Sequence, residues 1–273
     1  MAHNSFQVHR FYDIENIPFC PQMYSQLKFG SDAAAKSMGY ELANAYFAAH
    51  MDVLIANRSV VIPSPYNHIK NAATVMTHHF VDRLNELLVN ACGKAVEYSI
   101  IHRKVSYIKD YGYLSKAKRK GLIDNDSFYL NREFLVDKHL IFVDDVKITG
   151  THEDKLIEIL DREKIDNECH FLYYAQYGGQ SPSIEAEINF AGMKSADDFI
   201  EMTKQPKHHV LIRPIKYVLG QKPDELARIL TELSDDTLHQ MYYGSLAEGY
   251  FKIPSYQTGF NLMVAEKQKR SVK

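Results

Sequence analysis

The chain has 273 residues, enough for one large α/β domain or a medium domain carrying an appended cap. Its 45% apolar and 24% charged content is ordinary for a globular protein, and its net charge of −2 gives no electrostatic drive toward nucleic acid or an anionic membrane surface. Any phosphate binding must therefore come from local geometry. Cys20, Cys92 and Cys169 lie far apart with no paired spacing, which argues against a disulfide framework and suits a reducing compartment. The stretch Met1–Gln7 shows no basic region followed by an apolar one, and no apolar run approaches the roughly 20 residues that span a bilayer. A cytoplasmic protein that engages neither membrane nor nucleic acid is the expectation.

In chain order, an irregular start containing Pro18 and Pro21 gives way at Ser31-Asp32 to a helical pattern over Ala33–Met51. Val60–Ile62 is a short β-branched strand stopped by Pro63-Ser-Pro-Tyr-Asn67. From His68 to Val89 the period is helical, with Ala72, Val75, Met76, Phe80, Leu84 and Leu88 on one face. Ala95–His102 reads as a strand, and Arg103–Asn131 is a polar connection too long for an ordinary loop. Leu140–Val143 is apolar on both faces, Glu153–Lys164 is an amphipathic helix, and Cys169–Tyr177 is a strand closed by Gly178-Gly179. Strands separated by helices of this length imply a parallel sheet covered on both sides. Beyond Ser181 the pattern turns mostly helical, through Ala196–Thr203, Pro223–Leu233 and Asp236–Tyr243. The expected organisation is a core over residues 1–180, with an N-terminal helical extension, and a helical cap over 181–273.

The run Leu140-Ile-Phe-Val-Asp-Asp-Val-Lys-Ile-Thr-Gly-Thr-His152 concentrates the chemistry. Ligands in open α/β sheets bind beyond the carboxyl ends of the strands, where Asp144 and Asp145 stand. Thr149-Gly150-Thr151 then leads into a helix, whose first N–H groups and partial positive charge suit a phosphate. Gly150 allows close backbone approach, and the hydroxyls of Thr149 and Thr151 add two donors. Adjacent carboxylates can accept from two sugar hydroxyls or hold a hydrated Mg²⁺.

This run resembles the motif by which type I phosphoribosyltransferases bind phosphoribosyl pyrophosphate: an apolar strand, Asp-Asp, an aliphatic residue, two variable positions, then Thr-Gly and two hydroxyl residues. His152 departs from it, standing where the family has Thr or Ser. The resemblance covers roughly Ser59 to Gly179 and implies a parallel-sheet phosphoribosyltransferase-type core with a flexible hood loop, to which the helical pattern adds a C-terminal helical cap. It implies that Asp144 and Asp145 hold the ribose hydroxyls or Mg²⁺, and that Val146, Lys147, Ile148, Thr149, Gly150, Thr151 and His152 form the phosphate loop. Ile101-His-Arg-Lys104 resembles the family's Arg-Lys pair, so Arg103 and Lys104 would face pyrophosphate, with Lys109 and Tyr111 on the closing hood. Pro63–Asn67 would occupy the short pyrophosphate loop; Pro65 removes one N–H donor, leaving Ser64, Tyr66 and Asn67 to contribute.

Competing patterns fail on specific residues. A receiver domain needs an acid at the end of a later strand, and Cys169–Tyr177 ends without one. A Walker A loop at Gly30–Ser37 would need Gly where Ala35 stands and a strand before it. Neither His78-His79 nor His208-His209 has a helical i, i+4 partner with an acid, so these, His102 and His170 read as ordinary histidines. No Gly-x-Ser-x-Gly elbow supports hydrolysis, and one ribose-phosphate unit, not two, argues against a phosphoribosyl pyrophosphate synthetase. The expected activity is Mg²⁺-dependent transfer of a 5-phosphoribosyl group to a nucleobase-like nitrogen, with Tyr173, Tyr174 or Tyr177 near the acceptor and a homodimer by resemblance. The alternative is a non-catalytic protein of the same fold that senses a sugar phosphate or nucleotide.

Overall fold

The computed structural model describes residues 3–103, 128–181 and 183–271. Among them, five strands form one parallel sheet: β1 (His3–Phe11), β2 (Ser59–Pro63), β3 (Glu97–Tyr98), β6 (His139–Lys147) and β7 (Cys169–Tyr177), in the order β1-β7-β6-β2-β3. A two-residue antiparallel pair, β4 (His102–Arg103) with β5 (Phe128–Tyr129), stands apart from it. The segment expected as one strand over Ala95–His102 is thus split between two sheets.

Side chains alternate across the sheet, which divides the apolar residues into two layers. Val61, Ile141, Val143, Leu172 and Tyr174 face α1 (Pro21–Lys28), α2 (Asp32–Ala56) and α3 (Ala72–Asn90). Val60, Ile62, Leu140, Phe142 and Phe171 face α5 (Thr151–Arg162), which contributes Leu156, Ile159 and Leu160; a short α4 (Arg132–Leu135) precedes β6. Burial on both sides explains why β6 and β7 read as continuous apolar runs. Helices α2 and α3 cross at Gly39, where a Cβ would lie 2.6 Å from the Met76 carbonyl oxygen, so only glycine fits.

The N-terminal segment corrects the sequence reading. His3–Phe11 is not irregular but an edge strand of the core sheet, paired in parallel with all of β7. Its polar residues alternate with Phe6 and Val8, and only Phe11 is fully buried, so its pattern is that of a half-exposed edge. Helix α3 begins at Ala72, four residues later than expected, because Asn71 caps it by accepting from the Thr74 N–H at 2.9 Å.

The C-terminal helices are α6 (Ile184–Asn189), α7 (Ala196–Thr203), α8 (Ile212–Leu219), α9 (Pro223–Glu232), α10 (Asp235–Ala247) and α11 (Pro254–Ser271). Helix α6 joins the core through Ile184 and Ile188, whereas α7–α11 enclose a separate apolar cluster that takes in Phe29 from the core. Buried Glu248, at the end of α10, accepts from the backbone N–H groups of His68 and Ile69, each at 2.9 Å, and from Asn67 at 3.4 Å. Cap and core are thereby joined at the loop after β2.

Candidate ribose-phosphate site

Strand β6 runs unbroken through Lys147, so its two acids point to opposite faces of the sheet. Asp144 lies on the α5 side, where its Oδ2 is 3.3 Å from His152 Nδ1 and its Oδ1 accepts the Asp145 N–H at 2.9 Å. Burial by itself would raise its pKa, but the hydrogen bond and charge of His152 and the positive charge of Lys28 hold it below the ordinary carboxylate value. Asp145 lies on the α1 side and is buried. It is ion-paired with Lys28, and Tyr24 donates to it at 3.4 Å. Burial first, then the Asp145 charge, drives the Tyr24 phenol far above its ordinary pKa, so the hydroxyl remains a donor.

The chain then turns on Gly150, whose φ of 74° is left-handed, and enters α5 with no side chain capping the first turn. Thr151 is the first helical residue, and its hydroxyl meets that of Thr149 at 2.9 Å rather than capping the helix. The amino end of α5 therefore presents its leading N–H groups beside two hydroxyls and Asp144. Lys147 crosses this turn to Glu153 at 2.6 Å, and Glu153 also accepts from Tyr173 at 2.8 Å. Val146 and Ile148 pack their side chains against the core, so they can serve a ligand only through the backbone.

Ser64 is buried and donates its N–H to the Val143 carbonyl at 3.0 Å, which ties the loop after β2 to β6. Tyr66 bridges to His102 through the backbone, and Asn67 reaches Glu248. A cleft between this loop and α5, lined by Ser64, Asp144, His152, Glu153 and Tyr173, encloses about 10 Å³, room for one water. The structure thus brings Asp144, Ser64, His152 and the Thr149–Thr151 turn together and leaves Asp145 on the far face. Arg103 is described in its backbone alone, and Lys104, Lys109 and Tyr111 lie outside the described residues. Tyr173, Tyr174 and Tyr177 are all buried, with hydroxyls engaged by Glu153, by Glu41 and by the Ser181 N–H.

Comparison with known proteins settles the family. The profile of the ComF-like phosphoribosyltransferases matches residues 2–263. The chain belongs to this family. Its ComF-like core is accordingly of the phosphoribosyltransferase type, and the match runs through both the sheet and the C-terminal helices. A crystal structure of a hypoxanthine phosphoribosyltransferase from Staphylococcus aureus is similar over 52% of this chain and 73% of that one, with 10% identity and a TM-score of 0.34. None of the curated proteins matches the ComF-like chain. Among its described residues no helix is long and apolar enough to cross a membrane.

Sequence reasoning missed Lys28, Tyr24 and Glu248. The i, i+4 spacing of Tyr24 and Lys28 places both on one face of α1, a usable signal, yet only the fold sets that face against Asp145. Glu248 carries no comparable signal, since its partners are backbone groups about 180 residues away.

Proposed function

We propose that the chain transfers a 5-phosphoribosyl group from phosphoribosyl pyrophosphate to a nitrogen nucleophile of the nucleobase type, releasing pyrophosphate. The observation that carries this reading is the uncapped amino end of α5, with Gly150 in a left-handed turn and Asp144 at the adjacent strand end. The N–H groups of Thr151, His152 and Glu153 would hold the 5′-phosphate, with the Thr149 and Thr151 hydroxyls as further donors. Asp144 would accept from a ribose hydroxyl or hold Mg²⁺, and its partly exposed carboxylate suits that ion, which takes one or two carboxylates together with substrate phosphates. Mg²⁺ would supply neutralisation of the pyrophosphate. Lys28 holds Asp145 in place behind the strand, where the carboxylate would support positive charge developing at C1 without direct contact. Ser64 and Tyr66 would meet the pyrophosphate, joined by Arg103 and Lys104. The cleft must widen to admit a sugar, and His152, 45% exposed, is the side chain that can swing away from Asp144.

One observation favours a second reading, a binding protein without turnover. Asp144, Asp145 and Glu153 each already have a side-chain partner, in His152, Lys28 and Lys147. Calorimetric titration of phosphoribosyl pyrophosphate with Mg²⁺ is the first test. Wild type should bind, Asp144→Asn should lose binding, and Asp145→Asn should retain a weakened form. No binding by wild type, or equal binding by Asp144→Asn, sinks the site. Pyrophosphate release over a panel of bases then separates transfer from binding alone.

A further inference from the structure

At the opposite, amino end of the sheet, three acceptor groups converge on one point. His139 opens β6, His170 is the second residue of β7, and Glu168 immediately precedes that strand. Their ligand atoms all lie within 4.8 Å of one another. The two imidazoles are 97% and 98% buried and meet edge to face, with ring centroids 4.4 Å apart, whereas Glu168 is exposed.

The hydrogen bonds around them fix where the lone pairs point. The Asn4 amide nitrogen, which can only donate, stands 3.2 Å from His170 Nε2, so that atom accepts and the ring proton sits on Nδ1. His170 Nδ1 then donates to the Tyr46 hydroxyl oxygen at 2.8 Å. His139 Nδ1 is 3.3 Å from the Ser59 hydroxyl, and its Nε2, buried, has no hydrogen-bond partner among the described residues. His170 Nε2 lies 3.5 Å from Glu168 Oε1, so a lone pair and a carboxylate stand close together.

We propose that His139 Nε2, His170 Nε2 and Glu168 bind a divalent cation of the zinc class at the amino end of the sheet. Two imidazoles and one carboxylate are a borderline donor set that suits Zn²⁺ and not Mg²⁺. Tyr46 and Ser59 do what partners of metal-bound histidines do, holding the far ring nitrogen and so aiming the near one. Tetrahedral ligands about 2.0–2.2 Å from zinc are themselves about 3.3 Å apart, so the three donors, within 4.8 Å of one another, draw together as the ion enters. Asn4, exposed on the edge strand, must swing off His170 as the ion enters. A cleft of about 380 Å³ lined by His139, Glu168, Asp166 and Asn167 gives the ion a path from solvent. The remaining coordination position faces water or His50, whose ring centroid is 4.9 Å from that of His170 at the point where α2 leaves helical geometry.

The test is calorimetric titration of Zn²⁺ into the chelator-stripped chain, with Co²⁺ absorption as the report of imidazole coordination. Wild type should take up one ion with a rise in Tm. Glu168→Gln, at an exposed position, should keep the fold and weaken uptake at least about tenfold. His139→Gln should abolish it, with circular dichroism confirming a folded chain. Asp144→Asn should bind Zn²⁺ as wild type does, which separates this site from the ribose-phosphate one. No uptake by wild type, undiminished uptake in folded Glu168→Gln or His139→Gln, or loss in Asp144→Asn overturns the proposal.

Discussion

Lys28 and Asp145 form the pair on which the far side of the site rests, with 17% and 7% of their side-chain surfaces exposed. Removing one partner of so enclosed a pair leaves an uncompensated charge, so Lys28→Met should cost about 3 kcal/mol in denaturant unfolding. Lys28→Met/Asp145→Asn should recover much of that loss; additive losses would mean the two residues act separately. On the opposite face, His152→Thr restores the hydroxyl of the family motif and removes the partner of Asp144. Because Asp144 is depressed in the folded chain, it stabilises above its ordinary pKa of 3.8, and that contribution is lost as pH falls through the lower folded value. In His152→Thr the Asp144 pKa should rise, measured by carboxylate NMR titration, and affinity for a ribose phosphate should increase. An unchanged titration would show that His152 does not govern this carboxylate. The sequence made both acids visible as a pair but not their separation, because side-chain facing depends on how far β6 continues, and it continues to Lys147.

Among the elements, the loop after β2 is held at Ser64 by β6, through Asn71 to the Ser64 and Pro65 carbonyls, and at His68 and Ile69 by the cap. Glu248→Ala removes the acceptor of three hydrogen bonds and should cost about 2–3 kcal/mol, given the strength of bonds to charged groups. Hydrogen exchange at His68 and Ile69 should accelerate in the same variant; protected amides there would show that the loop is ordered independently of the cap. At the crossing of α2 and α3, Gly39→Ala forces a methyl against the Met76 carbonyl and the Phe80 amide, both backbone. It should destabilise by about 1–3 kcal/mol despite the better helix propensity of alanine, as measured by thermal unfolding. Strands β6 and β7 were legible because burial on both faces leaves a continuous apolar run, and α3 because its apolar stripe keeps a helical period. Strand β1 was not, since its pairing partner lies about 166 residues away and its outward residues are polar.

For the molecule as a whole, burial sets the response to acid. His50, His78, His139, His170 and His208 all titrate below the ordinary histidine value of 6.5, chiefly through burial. The unfolded chain therefore binds more protons below that pH, so stability is complete above 6.5 and declines as pH falls, by about 1.4 kcal/mol for each unit of depression. Tm should drop steadily on acidification from neutrality, and less steeply in His139→Gln. A flat profile below 6.5 would show that these rings gain protons without unfolding. The α/β architecture was readable at this scale from strand and helix spacing. The joining of the cap through Phe29 and Glu248 was not, because a long-range contact leaves no local period.

The parallel pairing of β1 with β7 also bears on how the chain is made. His3–Phe11 leave the ribosome long before Cys169–Tyr177, the strand they pair with, so they have no partner until Tyr177 has emerged. Once it has emerged and until β1 pairs with it, β7, rich in Phe171, Leu172, Tyr173 and Tyr174, is an open edge available to any neighbouring strand. A nascent ComF-like chain would therefore be most prone to cross-pairing with its neighbours just before His3–Phe11 fold back onto β7, and removing residues 3–11 should make that vulnerable stage permanent, visible as self-association in light scattering.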